Sequence, residues 1–163
     1  MKKITSILLF AVGLALCSAI FALDQKPMAK TEHVMFSGAD LKWGDAPPSL
    51  PAGAKVAVLS GDPGKEGMFT IRLQMPAGYK IPAHTHPTDE IVTVISGTCS
   101  FGMGPKYDEA AAKDQPAGAF VVLPAGMQHF AGSKAGCVVQ VQSTGPFQVV
   151  YVNPADDPRG AKK

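Results

Sequence analysis

Gly78-Tyr79-Lys80-Ile81-Pro82-Ala83-His84-Thr85-His86-Pro87-Thr88-Asp89-Glu90-Ile91-Val92-Thr93-Val94-Ile95-Ser96-Gly97 holds two histidines two positions apart, a glutamate four positions further on and a glycine at each end. Side chains two apart on a strand point to the same face, so His84 and His86 can address one ion together, and Glu90 shares their parity. Pro87-Thr88-Asp89 bends the chain, and the apolar run that follows reads as a buried strand ending in a Ser96-Gly97 hairpin turn. A second block, Gly118-x5-Pro124-x-Gly126-x2-His129, adds one more histidine after a Pro-Ala-Gly turn. With 17 glycines and 4 histidines in 163 residues, chance assembly of the first block alone has a probability on the order of 10⁻⁵.

Outward from these blocks, short β-like runs recur between turn signals, at 55–59, 68–75, 90–95, 98–103, 119–123, 129–131, 137–142 and 147–152. Gly61-Asp62-Pro63-Gly64, Pro76-Ala77-Gly78, Pro124-Ala125-Gly126 and Gly145-Pro146 punctuate them. Strands at this spacing predict an all-β sandwich or barrel. Only 107–113 reads as helical. The segment 45–53 carries three prolines, which fix φ and remove donors, so it is expected to form an ordered loop, with Leu41 and Trp43 pinning it to the barrel.

Both blocks resemble the two motifs of the cupin superfamily at every fixed position except the last, where Ser133 stands in a place that cupins usually give to a structural Asn. The short stretch between the blocks is similar to that of small single-domain bacterial cupins, and the flanking text around Leu59–Gly64 and Tyr151–Arg159 resembles the ChrR-like subgroup. The resemblance implies a single-domain cupin fold, the double-stranded β-helix or jelly-roll barrel.

Residues 1–22, with Lys2 and Lys3 before an apolar core, read as a secretory signal peptide, which predicts a periplasmic or secreted protein. An uncleaved membrane anchor is the alternative; Cys17 follows the bulky Leu16, a poor lipoprotein site. A linker over 23–33, a barrel over 34–152 and a tail over 153–163 follow. Beyond residue 22 there are 13 basic and 13 acidic side chains, with no basic run to follow a phosphate backbone, so a nucleic-acid partner is not expected, nor a membrane after signal cleavage. Cys99 and Cys137 could pair in an oxidising compartment, but each lies in a β-like run and is expected to be a buried free thiol; across the hairpin, Cys99 would lie opposite Val94 on the Glu90 face. His33, far from the motif histidines, is expected at the surface.

Three neutral imidazoles and a carboxylate, His84, His86, His129 and Glu90, form a mixed N/O set suited to one divalent transition metal, Fe, Mn, Ni, Cu or Zn, and poorly suited to Ca or Mg. Four protein ligands leave coordination positions for a small-molecule ligand or substrate. Three classes fit: an oxidoreductase of the dioxygenase type, as similar cupins are; a Lewis-acid isomerase or hydrolase; and a non-catalytic binding or sensing module, as the ChrR-like resemblance implies. By parity Val92, Val94, Met75, Phe120 and Val122 would line an apolar pocket, leaving Glu90 as the candidate proton carrier. Tyr79, Thr85 and Gln128 adjoin ligands and could orient them. Ile91, Val149 and Tyr151 would present an outer face for a homodimer.

Overall fold

The computed structural model describes residues 33–160, and the signal peptide, Cys17 and nearly all of the linker lie outside them. From Val34 onward the chain forms one compact unit. It is nearly all β: β1 (Gly44–Asp45), β2 (Lys55–Ser60), β3 (Gly67–Met75), β4 (Tyr79–Thr85), β5 (Glu90–Met103), β6 (Lys113–Pro116), β7 (Phe120–Leu123), β8 (His129–Ser133), β9 (Cys137–Gly145) and β10 (Val150–Tyr151). Every strand pairing is antiparallel, in the order β1-β2-β3-β9-β5-β8-β4-β10, with β6 and β7 also pairing with β5. The sheet curls into a jelly-roll half-barrel around a core that includes Leu73, Met75, Ile81, Val92, Val94, Phe101, Leu123, Val139 and Val141.

The long strand β5 replaces the hairpin expected at Ser96-Gly97. Its first half pairs with β9 and β7, its second half with β8 and β6, so one strand serves both halves of the barrel. Between Val94 and Ser96 the register with β9 shifts, leaving Ile95 as an extra residue. Such a bulge bends a strand and increases its twist, which lets β5 change partners without a turn. Gly97 sits there at φ 71°, and a Cβ on it would meet Gly136 O at 2.3 Å, so the crossing needs glycine on both counts. The sequence signal was correct about glycine and wrong about the turn.

The bulge also decides the cysteines. Cys99 joins the same core cluster as Val92 and Val94, but it is disulfide-bonded to Cys137 with the Cα atoms 5.8 Å apart. The expectation of free thiols is thus overturned: β5 and β9 run side by side here, with Gly97 opposite Cys137, a separation that suits the bond. Cys99 is therefore not a thiol of the pocket.

Other expectations fail on parity. Phe120 and Val122 are 63% and 49% exposed and do not line a pocket; β7 pairs Leu123 with Glu90 and Val121 with Val92, and directly opposed residues share a face, so the odd positions turn inward. Val149 and Tyr151 are buried, and cannot form an outer dimer face. Residues 107–113 make a turn rather than a helix: Asp108 accepts from the backbone N–H of Ala110 and Ala111, local bonds that compete with helix propagation, and Lys113 begins β6.

The Pro-rich segment is an ordered loop, though Trp43 is exposed and is not its anchor. Ala46 and Leu50 pack against the core, the Tyr79 hydroxyl donates to Pro51 O, and the Tyr151 hydroxyl donates to Ser49 O at 2.8 Å. The tail returns to the barrel through Arg159, whose guanidinium donates to Val149 O at 3.0 Å.

Candidate metal centre

His84 lies near the end of β4 and His129 at the start of β8, directly opposite each other. Between this pair and the next, Ile81 with Ala131, β4 contributes two residues, Pro82 and Ala83, against Phe130 alone. This is a bulge, placed where Pro82 has no N–H for the ladder. Its effect is a change of inward parity, from Tyr79 and Ile81 to His84 and His86. His86 follows the strand end, in the segment that carries the chain to Glu90 at the start of β5. That segment is anchored by groups the sequence did not single out. Asp89 Oδ1 accepts from Ala125 N (2.8 Å), Ser143 Oγ donates to Asp89 O (2.6 Å), and Gly126 N donates to His86 O (2.9 Å). The turn of the second block thus clips the bend of the first.

Each imidazole is held by a backbone carbonyl. Nδ1 of His84 donates to Pro82 O (2.7 Å), that of His86 to Gln148 O (2.7 Å) and that of His129 to Met127 O (2.9 Å). Because a carbonyl only accepts, these contacts fix the proton on Nδ1 and leave Nε2 of a neutral ring as a bare lone pair, the arrangement that prepares histidine for a metal. Nothing in Tyr79, Thr85 or Gln128 performs this role. Tyr79 anchors the Pro-rich loop instead. Backbone carbonyls carry no signature in a sequence, so these orienting groups were invisible there.

The three rings converge. One ligating atom from each of His84, His86 and His129 lies within 4.8 Å of the others, and all three residues are buried. Nε2 of His86 and of His129 have no hydrogen-bond partner, while Glu90 Oε2 stands 3.4 Å from the first and 3.5 Å from the second. Lone pairs facing a carboxylate at such distances repel unless positive charge lies among them. Either protons or a cation must supply it. Burial, reinforced by the neighbouring His129 and His86, pushes His84 down to about 3, so its ring is neutral near pH 7. Burial alone would push Glu90 up, but positive charge on the His129 and His86 side of its carboxylate outweighs this and holds it well below the usual carboxylate range, hence ionised. Neutral imidazole with ionised carboxylate is the state in which such groups ligate a metal.

The centre opens into a cavity of about 360 Å³. Val56, Val58, Ile71, Leu73, Val141 and Val149 form much of its wall, and Pro47, Ser49 and Leu50 of the Pro-rich loop lie at its rim; His84, His86 and Glu90 line it too. Phe147 stacks on His86 with centroids 4.3 Å apart. Of the pocket residues expected from parity, Val92, Val94 and Met75 are in the core and do not line this cavity. Ser133, in the divergent motif position, donates to Thr98 O at 3.0 Å and ties β8 to β5, a structural task. His33 is exposed.

Residues 13–150 match a family described as a domain of unknown function (DUF4437). The chain belongs to this DUF4437 family. No curated protein sequence matches it. Among solved structures, a putative acetylacetone dioxygenase from Methylibium petroleiphilum PM1 superposes with a TM-score of 0.60 at 18% identity, over 80% of this chain and 88% of that one. The polyketide cyclase RemF from Streptomyces resistomycificus gives 0.58 at 19%, over 80% and 90%. An RmlC-like cupin from Shewanella frigidimarina gives 0.55 at 17%, over 70% and 91%. At these identities the likeness establishes the fold, and this DUF4437 chain has the cupin fold. The ChrR-like subgroup finds no support among these comparisons.

Proposed function

We propose that this DUF4437 protein is an exported cupin that binds one divalent transition metal through His84, His86, His129 and Glu90 and acts there on a small organic molecule, with dioxygenase-type oxidation as the leading reaction class. One observation carries the metal reading. Three converging imidazoles have Nδ1 tied to backbone carbonyls, and the Nε2 atoms of two of them, His86 and His129, face the Glu90 carboxylate with no donor between. Fe, Mn, Ni, Cu and Zn all suit this donor set. When bound, the ion would supply Lewis acidity and, if redox-active, electrons for oxygen chemistry.

The chain's own residues have narrower tasks. The imidazoles hold position because their far nitrogens are fixed. The aliphatic wall excludes water from the bound molecule. Glu90, the one carboxylate beside the histidines, is the group placed to take or return a proton at Oε2. Two structural neighbours, a putative acetylacetone dioxygenase and a polyketide cyclase, support small organic substrates in this fold without deciding among them.

The alternative of a binding or sensing module is favoured by a specific feature: among the described residues, the only titratable side chain lining the cavity besides Glu90 and the histidines is Asp62, which is exposed. Export rests on the sequence of residues 1–22 and is supported by the Cys99–Cys137 bond, since disulfides persist in oxidising compartments. The homodimer remains part of the proposal, on a different face: Phe120, Val122 and Met68 are exposed on the outside of the barrel, beside Ile91. Elemental analysis of protein purified without chelator or nickel resin, followed by oxygen-uptake assays with phenolic, enolic and acidic candidates, tests the whole reading. Fe, Mn, Ni or Cu with substrate-dependent uptake supports the dioxygenase; Zn with thermal shifts on ligand addition and no turnover supports the binding module. Protein that takes up none of these metals on reconstitution is incompatible with either.

A further inference from the structure

The metal-facing cavity is apolar along its walls and acidic wherever it is charged. Val56, Val58, Ile71, Leu73, Val141 and Val149 supply the wall, and neither Lys nor Arg is among the described residues that line it. Its two carboxylates are Glu90, beside the histidines, and Asp62 at the mouth. Asp62 accepts from Gly64 N at 2.9 Å and pairs with Lys65 at 3.0 Å on the solvent side, which holds that lysine outside. With a divalent ion, three neutral imidazoles and ionised Glu90, the centre has a net charge of +1. A ligand whose oxygen head gives up one proton brings that to zero. A second anionic group would leave uncompensated negative charge against an aliphatic wall, facing Asp62.

We propose that this pocket selects small, apolar, mono-anionic oxygen chelators of the enolate or hydroxyketone class and rejects those bearing an additional carboxylate. This rests on the metal reading above and narrows it to a substrate class. The cavity, about 360 Å³, corresponds to roughly a dozen water volumes, so the fitting molecule has about that many non-hydrogen atoms. Phe147, stacked on His86, and Pro47, Ser49 and Leu50 complete its lining.

Two probes share one chelating head: maltol, a neutral hydroxypyranone that binds metals as a mono-anion, and comenic acid, a hydroxypyranone with an added carboxylate. Each is titrated into the full protein loaded with Co²⁺, with the cobalt visible spectrum as the readout. Maltol is expected to bind tighter by roughly tenfold or more. Val58, in the wall, is half exposed, so Val58→Arg adds a cation to the cavity outside the buried core and should shrink or reverse that ratio. Equal or tighter comenate binding to the wild type overturns the selectivity, as does an unchanged ratio in V58R. In both cases one cobalt per chain leaves the metal reading standing. Failure to bind cobalt at all overturns the metal reading and this inference with it.

Discussion

Two stretches of β5, its start at Glu90 and its middle at Cys99, solve opposite problems. At Glu90 the strand enters a polar cluster in which Nε2 of His86 and of His129 have no hydrogen-bond partner and face only the carboxylate. At Cys99, nine residues on in the sequence, it is packed into apolar side chains and locked by a covalent bond to β9. The disulfide end is self-sufficient: burial and the cross-link stabilise it under any metal status. The histidine end is not, because two Nε2 atoms are buried without donors and face the Glu90 carboxylate. The contrast teaches that the barrel is held from the closed end, which leaves the open end free to keep an arrangement that is costly until something positive binds.

Separating the two ends experimentally begins with the bond. Cys99 and Cys137 are 38 residues apart, and the loop-entropy treatment of such a cross-link gives roughly 4 kcal/mol. Cys99→Ser, or reduction in mild denaturant, should therefore lower unfolding stability by up to that amount while metal affinity in the folded state changes little. A large loss of metal on reduction would show that the ends are coupled. Metal removal from the other end comes next. If a transition ion is shared among four ligands worth roughly 10–16 kcal/mol together, one ligand accounts for roughly 3–4 kcal/mol, so His86→Ala or His129→Ala should weaken binding more than a hundredfold by competitive chelation, with the disulfide intact. Unchanged affinity in both variants removes the central reading.

Acid should distinguish the ends without mutation. Burial depresses His84 from 6.5 to about 3 in the folded state, so between those values the unfolded chain binds a proton that the metal-free folded chain does not. Stability then falls as pH falls through this window, by about 2 kcal/mol between about pH 6.5 and 5 for a single site. Thermal melts of chelator-treated protein should show that slope, and metal-loaded protein should show a steeper one as protons compete for the ligands. A flat profile for the metal-free protein would mean that its histidine cluster is not dry. The smallest effect is expected at the rim. Tyr151→Phe removes the hydroxyl donor to Ser49 O and should cost about 1 kcal/mol. Hydrogen exchange should rise in residues 47–51 and stay unchanged around Cys99 and Cys137.

Much of this was legible along the chain because the relevant signals are local. Parity and turn residues predict short strands, and His-x-His-x3-Glu with a later His names a candidate ligand set before any fold is known. What failed was parity carried across a bulge or onto an unpaired strand. Phe120 and Val122 were assigned inward because β7 by itself alternates either way; only its register against Glu90 and Val92 decides which set is buried. Val149 and Tyr151 were assigned outward for the same reason, and the hairpin at Ser96-Gly97 was read where an extra Ile95 bends a continuous strand.

The sequence by itself determined the all-β class, the position of the two glycine-punctuated blocks and the residue types His84, His86, Glu90 and His129, because these depend on periodicity and side-chain chemistry. Only the tertiary structure decided that the three histidines converge, that Nδ1 of each is held by the carbonyls of Pro82, Gln148 and Met127, that Cys99 meets Cys137 and which side chains line the pocket, with neither Lys nor Arg among the described residues there. Gln148 lies 62 residues from the His86 it orients, and no local pattern encodes a backbone carbonyl brought across the barrel by strand register.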